Sequence, residues 1–274
     1  MVEILLSTYN GSQYLSDQIE SILNQTYSNW SLLIRDDGST DESMHIIGKY
    51  TLRYPSQIRI LDDDVKHRGA SSSFSELLAA SSAEYIMFCD QDDIWNSTKI
   101  EKTLNSIKRI EAQSPNCPVL VFTDLVKVDH NLNQLAASFI RDQKLYTDII
   151  SNVNKLIALN VATGCTIMIN KIAKQYVVPF PSKIIVHDHW LIINIAYYGK
   201  VFFLNEATIL YRQHNNNLIG SNYIDIQYFL KKVLNINIQF SKLNILQKRL
   251  KFKINIPKIL LYKLLFTIKR LVSN

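Results

Sequence analysis

Short apolar runs alternate with amphipathic segments along the first 125 residues of the chain. Short runs bounded by turn residues predict strands, and apolar residues three or four positions apart predict helices, as at Leu15, Ile19 and Ile22. The predicted strands are Val2–Ser7, Trp30–Arg35, Ile58–Leu61, Tyr85–Cys89 and Val119–Thr123, and the predicted helices are Tyr14–Asn24, Asp41–Arg53, Ser72–Ser81 and Ser97–Ala112. This alternation predicts an α/β fold with a mostly parallel central sheet flanked by helices.

The pattern is less regular between residues 124 and 220. It predicts a strand at Thr166–Asn170, a helix at Trp190–Tyr198, and strands at Val201–Leu204 and Thr208–Arg212. There is no internal repeat and no low-complexity linker, so we expect residues 1–220 to form one domain. In the N-terminal part, Ser39 and Glu42 have the spacing of a capping box for the second helix.

Residues 221–274 form a basic tail whose composition differs from the rest of the chain. They contain nine Lys, two Arg and one Asp, a net charge of +10, whereas the whole chain has +6 and the first 220 residues therefore −4. Apolar residues alternate with Lys and Arg from Tyr228 to Leu234 and again after Pro257, which predicts amphipathic helices that lie on an anionic membrane surface. The alternative is that these helices pack on the domain with their lysines in solvent. The high Leu and Ile content favours lipid over nucleic acid as the partner.

Composition excludes several classes of protein. Hydrophobic residues make up 47% of the 274 residues and charged residues 20%, which is the usage of an ordinary folded domain and not of a disordered chain. The three cysteines have no metal-ligand spacing, so neither a disulfide framework nor a zinc site is expected. No signal peptide and no run long enough to span a membrane are recognisable. We therefore expect a cytoplasmic protein.

Acidic side chains follow the predicted strands at the point where each strand ends. Asp90-Gln91-Asp92-Asp93 follows the buried-type strand Tyr85–Cys89, and Asp124 follows the strand at Val119–Thr123. In an open parallel sheet, ligands bind at this edge. Carboxylates that are close together suit Mg²⁺ or Mn²⁺ bound to substrate phosphates. The alternative for Asp90–Asp93 is an Asp-rich turn without a ligand.

A second acidic turn, Asp36-Asp37-Gly38-Ser39, follows the second strand. It is typical of a tight turn in which Gly38 has a positive φ angle, and a carboxylate there could also accept the imide N–H of a pyrimidine base. Neither a dinucleotide-binding G-x-G-x-x-G nor a P-loop is present. Any phosphates must therefore be held by a metal ion and side chains.

Four motifs in this order and spacing resemble glycosyltransferase family 2: Ser7-Thr8-Tyr9-Asn10-Gly11, Gln25-Thr26-Tyr27, Asp36-Asp37-Gly38-Ser39-Thr40-Asp41 and Asp90-Gln91-Asp92-Asp93-Ile94-Trp95. The resemblance covers roughly residues 2–215. It implies the GT-A fold and an inverting transfer of a sugar from a nucleoside diphosphate donor, assisted by a divalent metal, Mn²⁺ or Mg²⁺.

The resemblance also implies roles for individual residues. The nucleotide would be bound by Thr8, Tyr9, Asn10, Asp36, Asp37, Arg68, Asp90 and Gln91, although the place of Arg68 is inferred only from a loop that family members have there. The metal would be held by Asp90 and Asp92, with His214 completing the set. Asp93, Trp95, His189, Trp190 and Arg212 are candidates for contacts with the acceptor or the diphosphate.

An inverting displacement requires a base on the face opposite the leaving diphosphate. Asp188, in His187-Asp188-His189-Trp190, is the candidate, and its alternative role is to cap a helix N-terminus. Family members often have Glu-Asp here. The replacement of that Glu by His187 resembles the rhamnosyltransferase-like branch.

The sequence thus predicts a peripheral-membrane glycosyltransferase that extends a lipid-linked saccharide of a surface polysaccharide, at the cytoplasmic face of the membrane. The first expected donor is dTDP-rhamnose, followed by UDP-hexoses and UDP-N-acetylhexosamines. Two other functions are weighed against it. A sugar-1-phosphate nucleotidyltransferase would need a Gly-rich basic loop after the first strand, which is absent, and a non-catalytic membrane adaptor would need only the fold and the tail.

Overall fold

The structure is a computed structural model, and it describes residues 1–63, 65–181, 185–214 and 235–272. These residues contain nine strands: β1 Val2–Thr8, β2 Trp30–Asp36, β3 Ile58–Ile60, β4 Tyr85–Cys89, β5 Ile94–Trp95, β6 Val119–Val128, β7 Gln134–Ala136, β8 Ile167–Asn170 and β9 Lys200–Arg212.

The nine strands form one mixed sheet. Their order is β3-β2-β1-β4-β8-β6-β9-β5, with β7 paired to β6 outside this path. The strands β3, β2, β1 and β4 are parallel to one another, and β9 is parallel to β6. Strand β8 lies between β4 and β6 and is antiparallel to both. The prediction of an α/β fold with a mostly parallel sheet is confirmed.

The helices of the described residues are α1 Leu15–Leu23, α2 Ser43–Arg53, α3 Ala70–Ala80, α4 Lys99–Gln113, α5 Phe139–Asp142, α6 Val153–Ala158, α7 Lys171–Val177, α8 His187–Tyr198, α9 Ile236–Gln247 and α10 Ile256–Val272. Two 3₁₀ turns, Thr147–Ser151 and Gly164–Thr166, complete the regular structure. No helix among the described residues is long and apolar enough to cross a membrane.

Two apolar cores lie on opposite faces of the sheet. Along β1, Ile4 and Leu6 pack into one core and Leu5 into the other, because successive side chains of a strand point to opposite faces. The first core includes residues of α1, α2 and α4, and the second includes residues of α3 and α6–α10. Because both faces are covered, the central strands β1, β4 and β8 are mostly apolar, and polar residues concentrate where β1, β2 and β4 end.

The register of the parallel strands aligns their carboxyl ends. Thr8 at the end of β1 is paired with Asp36 at the end of β2, and Leu6 is paired with Cys89 at the end of β4. The residues that follow these strands therefore meet at one edge.

Some local predictions differ from the structure. The predicted strands at Val201–Leu204 and Thr208–Arg212 form one strand, β9, and β6 continues to Val128, so that Asp124 lies within a strand. The capping box is not formed: α2 begins at Ser43, and the Ser39 hydroxyl donates to Asp36 instead. The predicted helix after Pro257 is present as α10, whereas Tyr228–Leu234 and the boundary at residue 220 lie outside the described residues.

Candidate functional site

The acidic motif leaves the sheet at the end of β4 and returns to it at β5. Ile94 and Trp95 of β5 pair with Leu210 and Ile209 of β9, antiparallel. This short pairing holds the intervening residues against the end of β9, which carries Arg212 and leads to His214. The sequence did not reveal β5, because two residues have no recognisable period.

Asp90 and Asp93 lie together with Cys165 beneath the edge of the sheet. Their ligand atoms are all within 4.8 Å of one another. Asp93 is fully buried, and its Oδ2 has no hydrogen-bond partner among the described residues. Burial, followed by the charges of Asp92 and Asp188, raises the pKa of Asp90 to about 7, and burial beside Asp92 and Asp90 raises the pKa of Asp93 well above its usual range. A cation bound here would relieve this repulsion.

Asp92 points toward the last strand. His214 Nε2 lies 2.9 Å from Asp92 Oδ2, and both side chains are largely buried. Burial raises the pKa of Asp92 despite the opposing effect of His214. The predicted ligands Asp90, Asp92 and His214 do not form one close group in the described part of the chain, because Asp92 pairs with His214 and Asp90 lies with Asp93 and Cys165.

Arg212, at the end of β9, forms hydrogen bonds that hold Asp92 and Asp93 in place. Its backbone N–H donates to Asp93 Oδ1 at 3.2 Å and its Nε donates to the backbone oxygen of Asp92 at 3.0 Å. Its guanidinium also pairs with Asp17 at 3.1 Å and lies 4.4 Å from the ring centroid of Tyr14. These contacts give Arg212 a clear positioning role. The Asn215–Asn217 run that follows His214 is outside the described residues.

Asp188 is buried in the first turn of α8, where Val186 is the capping residue, so the alternative of a capping Asp does not apply. Its carboxylate accepts hydrogen bonds from the backbone N–H of His189, the Asn160 side chain and the backbone of Gly164. Burial nevertheless raises its pKa to about 6. The Asp188 charge also raises the pKa of Asp90, so the two carboxyls are close enough to interact electrostatically.

The residues around Asp188 are core residues. His187 packs on Phe74 with 4.4 Å between ring centroids, and its buried Nε2 has no hydrogen-bond partner in the part of the chain that the structure describes. Burial lowers the pKa of His187 and of His189 to about 4, so both rings are neutral at pH 7. His189 Nε2 is 2.8 Å from the backbone oxygen of Leu156. This contact ties His189 to α6 and not to the acidic edge, contrary to its expected acceptor role.

The two tryptophans expected near the acceptor are also buried. Trp190 is 5% exposed and donates to the Val177 backbone oxygen at 2.7 Å, and Trp95 is 2% exposed with Lys99 Nζ 4.7 Å from its ring centroid. Neither presents a face to the site, so the predicted acceptor wall is not formed by these residues.

Gln91 joins the ends of β1 and β4. Its Oε1 accepts from the Thr8 hydroxyl at 2.7 Å and from the Tyr9 backbone N–H at 2.8 Å, and its Nε2 donates to the Tyr9 backbone oxygen at 3.1 Å. Tyr9 itself is 48% exposed. Gly11 allows this arrangement, because a Cβ there would be 2.3 Å from Gln91 Oε1.

Asn10 and Asp36 build the adjoining turn. Asn10 has a φ of 48°, and its Oδ1 accepts from the Thr40 backbone N–H at 2.8 Å. Asp36 Oδ1 accepts from the backbone N–H groups of Gly38 and Ser39, at 2.9 and 2.8 Å. Gly38 has a φ of 95°, as the turn predicted.

Asp37 is held by the buried Arg35. Arg35 Nη1 donates to Asp37 Oδ1 at 2.8 Å, and the backbone N–H groups of Arg68 and Gly69 also donate to the Asp37 carboxylate. Although burial opposes them, these bonds lower the pKa of Asp37. The Arg68 side chain is directed to Glu76, at 2.9 Å. Arg68 therefore contributes its backbone to this loop, and its side chain is engaged away from the strand ends.

Sequence reasoning missed Lys99, Cys165 and Asn160. Lys99 is a fully buried lysine of α4, and burial lowers its pKa to about 8 although the nearby Cys165, Cys89 and Asp93 raise it. A lysine six residues after the acidic motif was a usable signal, because it begins the helix that follows. Cys165 and Asn160 are distant from the motif in sequence and carried no signal.

The match to a family model decides the classification of this arrangement. The model described as "Glycosyl transferase family 2" matches residues 3–177, more than half of the chain. The chain belongs to glycosyltransferase family 2. The GT-A fold that the motifs implied is thereby confirmed, and the protein is a nucleotide-sugar glycosyltransferase.

Individual relatives are similar over most of their length. The dTDP-rhamnosyl transferase RfbG of Shigella flexneri is 30% identical over 79% of this chain and 74% of its own. The UDP-Glc:alpha-D-GlcNAc-diphosphoundecaprenol beta-1,3-glucosyltransferase WfgD of Escherichia coli is 25% identical, with 83% of each chain covered. Among solved structures, the mannosyltransferase PcManGT of Pyrobaculum calidifontis, in complex with GDP-Man and Mn²⁺, has the same fold with a TM-score of 0.61, 13% identity, and coverage of 99% of this chain and 73% of that one.

Proposed function

We propose that this glycosyltransferase moves a sugar, with L-rhamnose from dTDP-rhamnose as the first candidate, onto a lipid-linked saccharide, with inversion at the anomeric carbon. The observation that carries the proposal is the arrangement of Asp90 and Asp188. Two carboxyls from distant parts of the chain, the half-buried Asp90 and the buried Asp188, are close enough for the charge of Asp188 to raise the pKa of Asp90, and both have a raised pKa. Asp90 is at the end of β4, where the donor phosphates would lie. Asp188 is in the first turn of α8, a different element.

Asp188 is the proposed base. In an inverting transfer, the oxygen of the acceptor hydroxyl bonds to the anomeric carbon while the bond from that carbon to the diphosphate oxygen breaks, and the hydroxyl proton must go to a base. A carboxyl with a pKa of about 6 is mostly ionised at pH 7 and is a stronger base than an ordinary Asp. The bonds from Asn160 and Gly164 hold its carboxylate in place during this proton transfer.

The acidic group fits a divalent metal. Asp93 Oδ2 is buried beside Asp90 and Cys165 without a hydrogen-bond partner among the described residues, and burial together with the neighbouring carboxylates raises the pKa of Asp90 and of Asp93. Mn²⁺ accepts such a mixed set more readily than Mg²⁺, which prefers oxygen. By the family resemblance we assign Asp90 and Asp92 to the metal, with His214 beside Asp92; Asp93, which lies with Asp90 and Cys165 in the structure, is a further candidate. When bound, the metal would neutralise charge on the leaving diphosphate.

The nucleotide would lie over the ends of β1 and β2. Thr8, Tyr9, Asn10 and Gln91 present backbone and side-chain groups there, and the exposed Tyr9 ring offers a face for a base. Asp36 and Asp37 fix the turn, and an oxygen of either can still accept a further hydrogen bond from the base. Arg212 would act on the diphosphate indirectly, through Asp92 and Asp93.

Similarity to RfbG favours dTDP-rhamnose as the donor. Similarity to WfgD favours a second candidate, a UDP-hexose, and it also favours a diphospholipid-linked saccharide as the acceptor. A lipid-linked acceptor requires the enzyme to work at a membrane surface, and the basic tail provides a reason for it to stay there. We therefore place the protein at the cytoplasmic face of the membrane.

Substitution of the base tests the proposal. Asp188→Asn should lower sugar transfer by at least about 100-fold while donor binding changes little, because Asn keeps the size and loses the proton-accepting charge. Asp148→Asn, on an exposed 3₁₀ turn, is the matched control. Transfer that is equal in Asp188→Asn and in the wild-type protein would exclude Asp188 as the base.

A further inference from the structure

The last helix, α10, has two apolar faces. Ile259 and Thr267 are buried on the face that packs toward α6, with Phe266 beside them. The opposite face is exposed and consists of Leu261, Leu264, Leu265, Ile268 and Val272, which are 39–79% exposed. Their spacing of three or four residues places them in one stripe along the helix. A surface helix of a globular domain usually has only the first of these faces.

The preceding helix, α9, adds to this exposed surface. Leu243 and Leu246 are buried against the domain, whereas Ile238 and Ile245, seven residues apart, are about half exposed. Lys242 occupies the same side of the helix by its spacing, and Arg249 follows the helix end at Gln247. From residue 235 to residue 272 there are seven Lys and two Arg and no acidic residue.

We infer that the outer faces of α9 and α10 form one docking surface for an anionic lipid bilayer, with the stripe of α10 inserted at the level of the head groups. We call Leu261, Leu264, Leu265, Ile268 and Val272 the outer stripe. An apolar stripe bordered by cations complements a negative surface with an apolar interior. The role of this surface in sugar transfer rests on the proposed lipid-linked acceptor. The binding of the surface to an anionic bilayer does not depend on that proposal.

Charge and composition favour a bilayer over the other occupants. A second copy of this chain would bring nine cations against nine cations at short range, which opposes self-association. A nucleic acid would satisfy the charge, but the outer stripe itself is aliphatic, and bases stack on aromatic and not on aliphatic side chains.

The docking surface is connected to the site by one short helix. α10 packs against α6, and Lys155 of α6 lies over the ring of Tyr262 of α10 at 5.7 Å. Asn160, which follows α6 by two residues, donates to Asp188, and the Leu156 oxygen of α6 contacts His189. Lys263 of α10 is close enough to His189 to lower its pKa. A bilayer bound to the outer face of α10 would therefore be connected through α10 and α6 to α8, the helix that carries the proposed base.

Vesicle binding by the full chain tests this inference. Sedimentation with vesicles of phosphatidylcholine alone, and with about one third phosphatidylglycerol, gives the partition coefficient of each variant. We expect strong binding only to the anionic vesicles. The triple variant Leu261→Ser, Leu265→Ser and Ile268→Ser should bind them about 100-fold more weakly, because three apolar side chains no longer enter the interface.

The control is Leu52→Ser, an equally apolar residue that is 85% exposed on α2, and it should bind like the wild-type protein. Circular dichroism shows whether each variant is folded, and single substitutions at Leu261 and Ile268 replace the triple variant if it is not. Equal binding by the stripe variants and the wild-type protein would overturn the inference, as would a loss of dimers in the stripe variants without a loss of vesicle binding. Release of nucleoside diphosphate in the absence of vesicles reports on the proposed function separately, and the stripe variants should leave it unchanged.

Discussion

His214 Nε2 lies 2.9 Å from Asp92 Oδ2, across 122 residues of sequence. The contact joins the acidic motif after β4 to the second residue beyond the end of β9. Because Arg212 on the same strand also holds the Asp92 backbone, the end of β9 fixes both the position and the orientation of this carboxylate.

Removing the imidazole should therefore weaken metal binding more than it weakens the fold. We predict that His214→Gln lowers the affinity for Mn²⁺ about 10- to 100-fold and lowers transfer at limiting metal by a similar factor. Titration with Mn²⁺, followed by release of nucleoside diphosphate, measures both. His45→Gln, on the exposed side of α2, is the control. An unchanged metal dependence in His214→Gln would remove His214 from the metal site.

The pH dependence of transfer should reflect Asp188. Its raised pKa of about 6 means that the proton-accepting form is lost as the pH falls through 6, and not through 4 as for an ordinary carboxyl. We predict that kcat/KM falls about tenfold per pH unit below that value. A profile that stays level from about pH 7 down to about pH 5 would contradict the assignment of this carboxyl as the base.

Gly11 should be required for the contact between Gln91 and the end of β1. A Cβ at residue 11 would be 2.3 Å from Gln91 Oε1 and 2.5 Å from its Cδ, so Gly11→Ala must displace the Gln91 side chain. We predict a rise in the KM for the donor with a smaller change in kcat. Gly48→Ala is the matched control, because Gly48 is within α2 with no atom within 4 Å of its added Cβ. That change should stabilise the protein by about 0.5–1 kcal/mol. Equal donor KM values in both variants would show that Gln91 is not needed for donor binding.

The acidic group should destabilise the protein when no metal is bound. The pKa of Asp90 is raised to about 7 in the folded protein, so the folded state binds this proton more tightly than the unfolded state does. The stability that this tighter proton binding by Asp90 contributes is complete below about pH 4 and is lost as the pH rises through about 7. Asp90→Asn cannot ionise, and we predict that it raises the melting temperature in chelator by several degrees at about pH 8, and by less at about pH 5.

Added Mn²⁺ should remove the higher melting temperature of Asp90→Asn relative to the wild-type protein, because it stabilises only the wild-type protein. Asp62→Asn, at an exposed acidic residue, is the control. It should change the melting temperature neither in chelator nor in Mn²⁺. A lower melting temperature for Asp90→Asn at about pH 8 in chelator would contradict the account of a repulsive acidic group.

The predicted strands and helices of the first half of the chain agree with the structure because both faces of the sheet are covered and the apolar pattern is strong. The ends of β1, β2 and β4 could be placed at one edge from sequence alone, and with them Thr8, Asp36 and Asp90. The family resemblance placed Asp92 and His214 in one site, but the strand pairing that brings them together could not be predicted, because β5 has two residues and no period of its own.

Burial explains the other differences. Trp95, Trp190 and His189 are next to site residues in sequence, but each points from its strand or helix into the core, and neighbours in sequence on these elements face different directions. Cys165 reaches Asp90 and Asp93 only because β8 is inserted between β4 and β6. The pattern of apolar and polar residues does not predict that β8 lies antiparallel between β4 and β6.

The central claim is tested most directly by sugar transfer from a panel of dTDP- and UDP-sugars to a diphospholipid-linked saccharide, with Mn²⁺, with Mg²⁺ and with chelator. The wild-type protein and Asp188→Asn are compared, with Asp148→Asn as the control. We predict that the wild-type protein and the control use one donor in the presence of metal, that Asp188→Asn does not, and that the product has the inverted anomeric configuration. Transfer that persists in chelator or in Asp188→Asn, or a product that retains the donor configuration, would contradict the account.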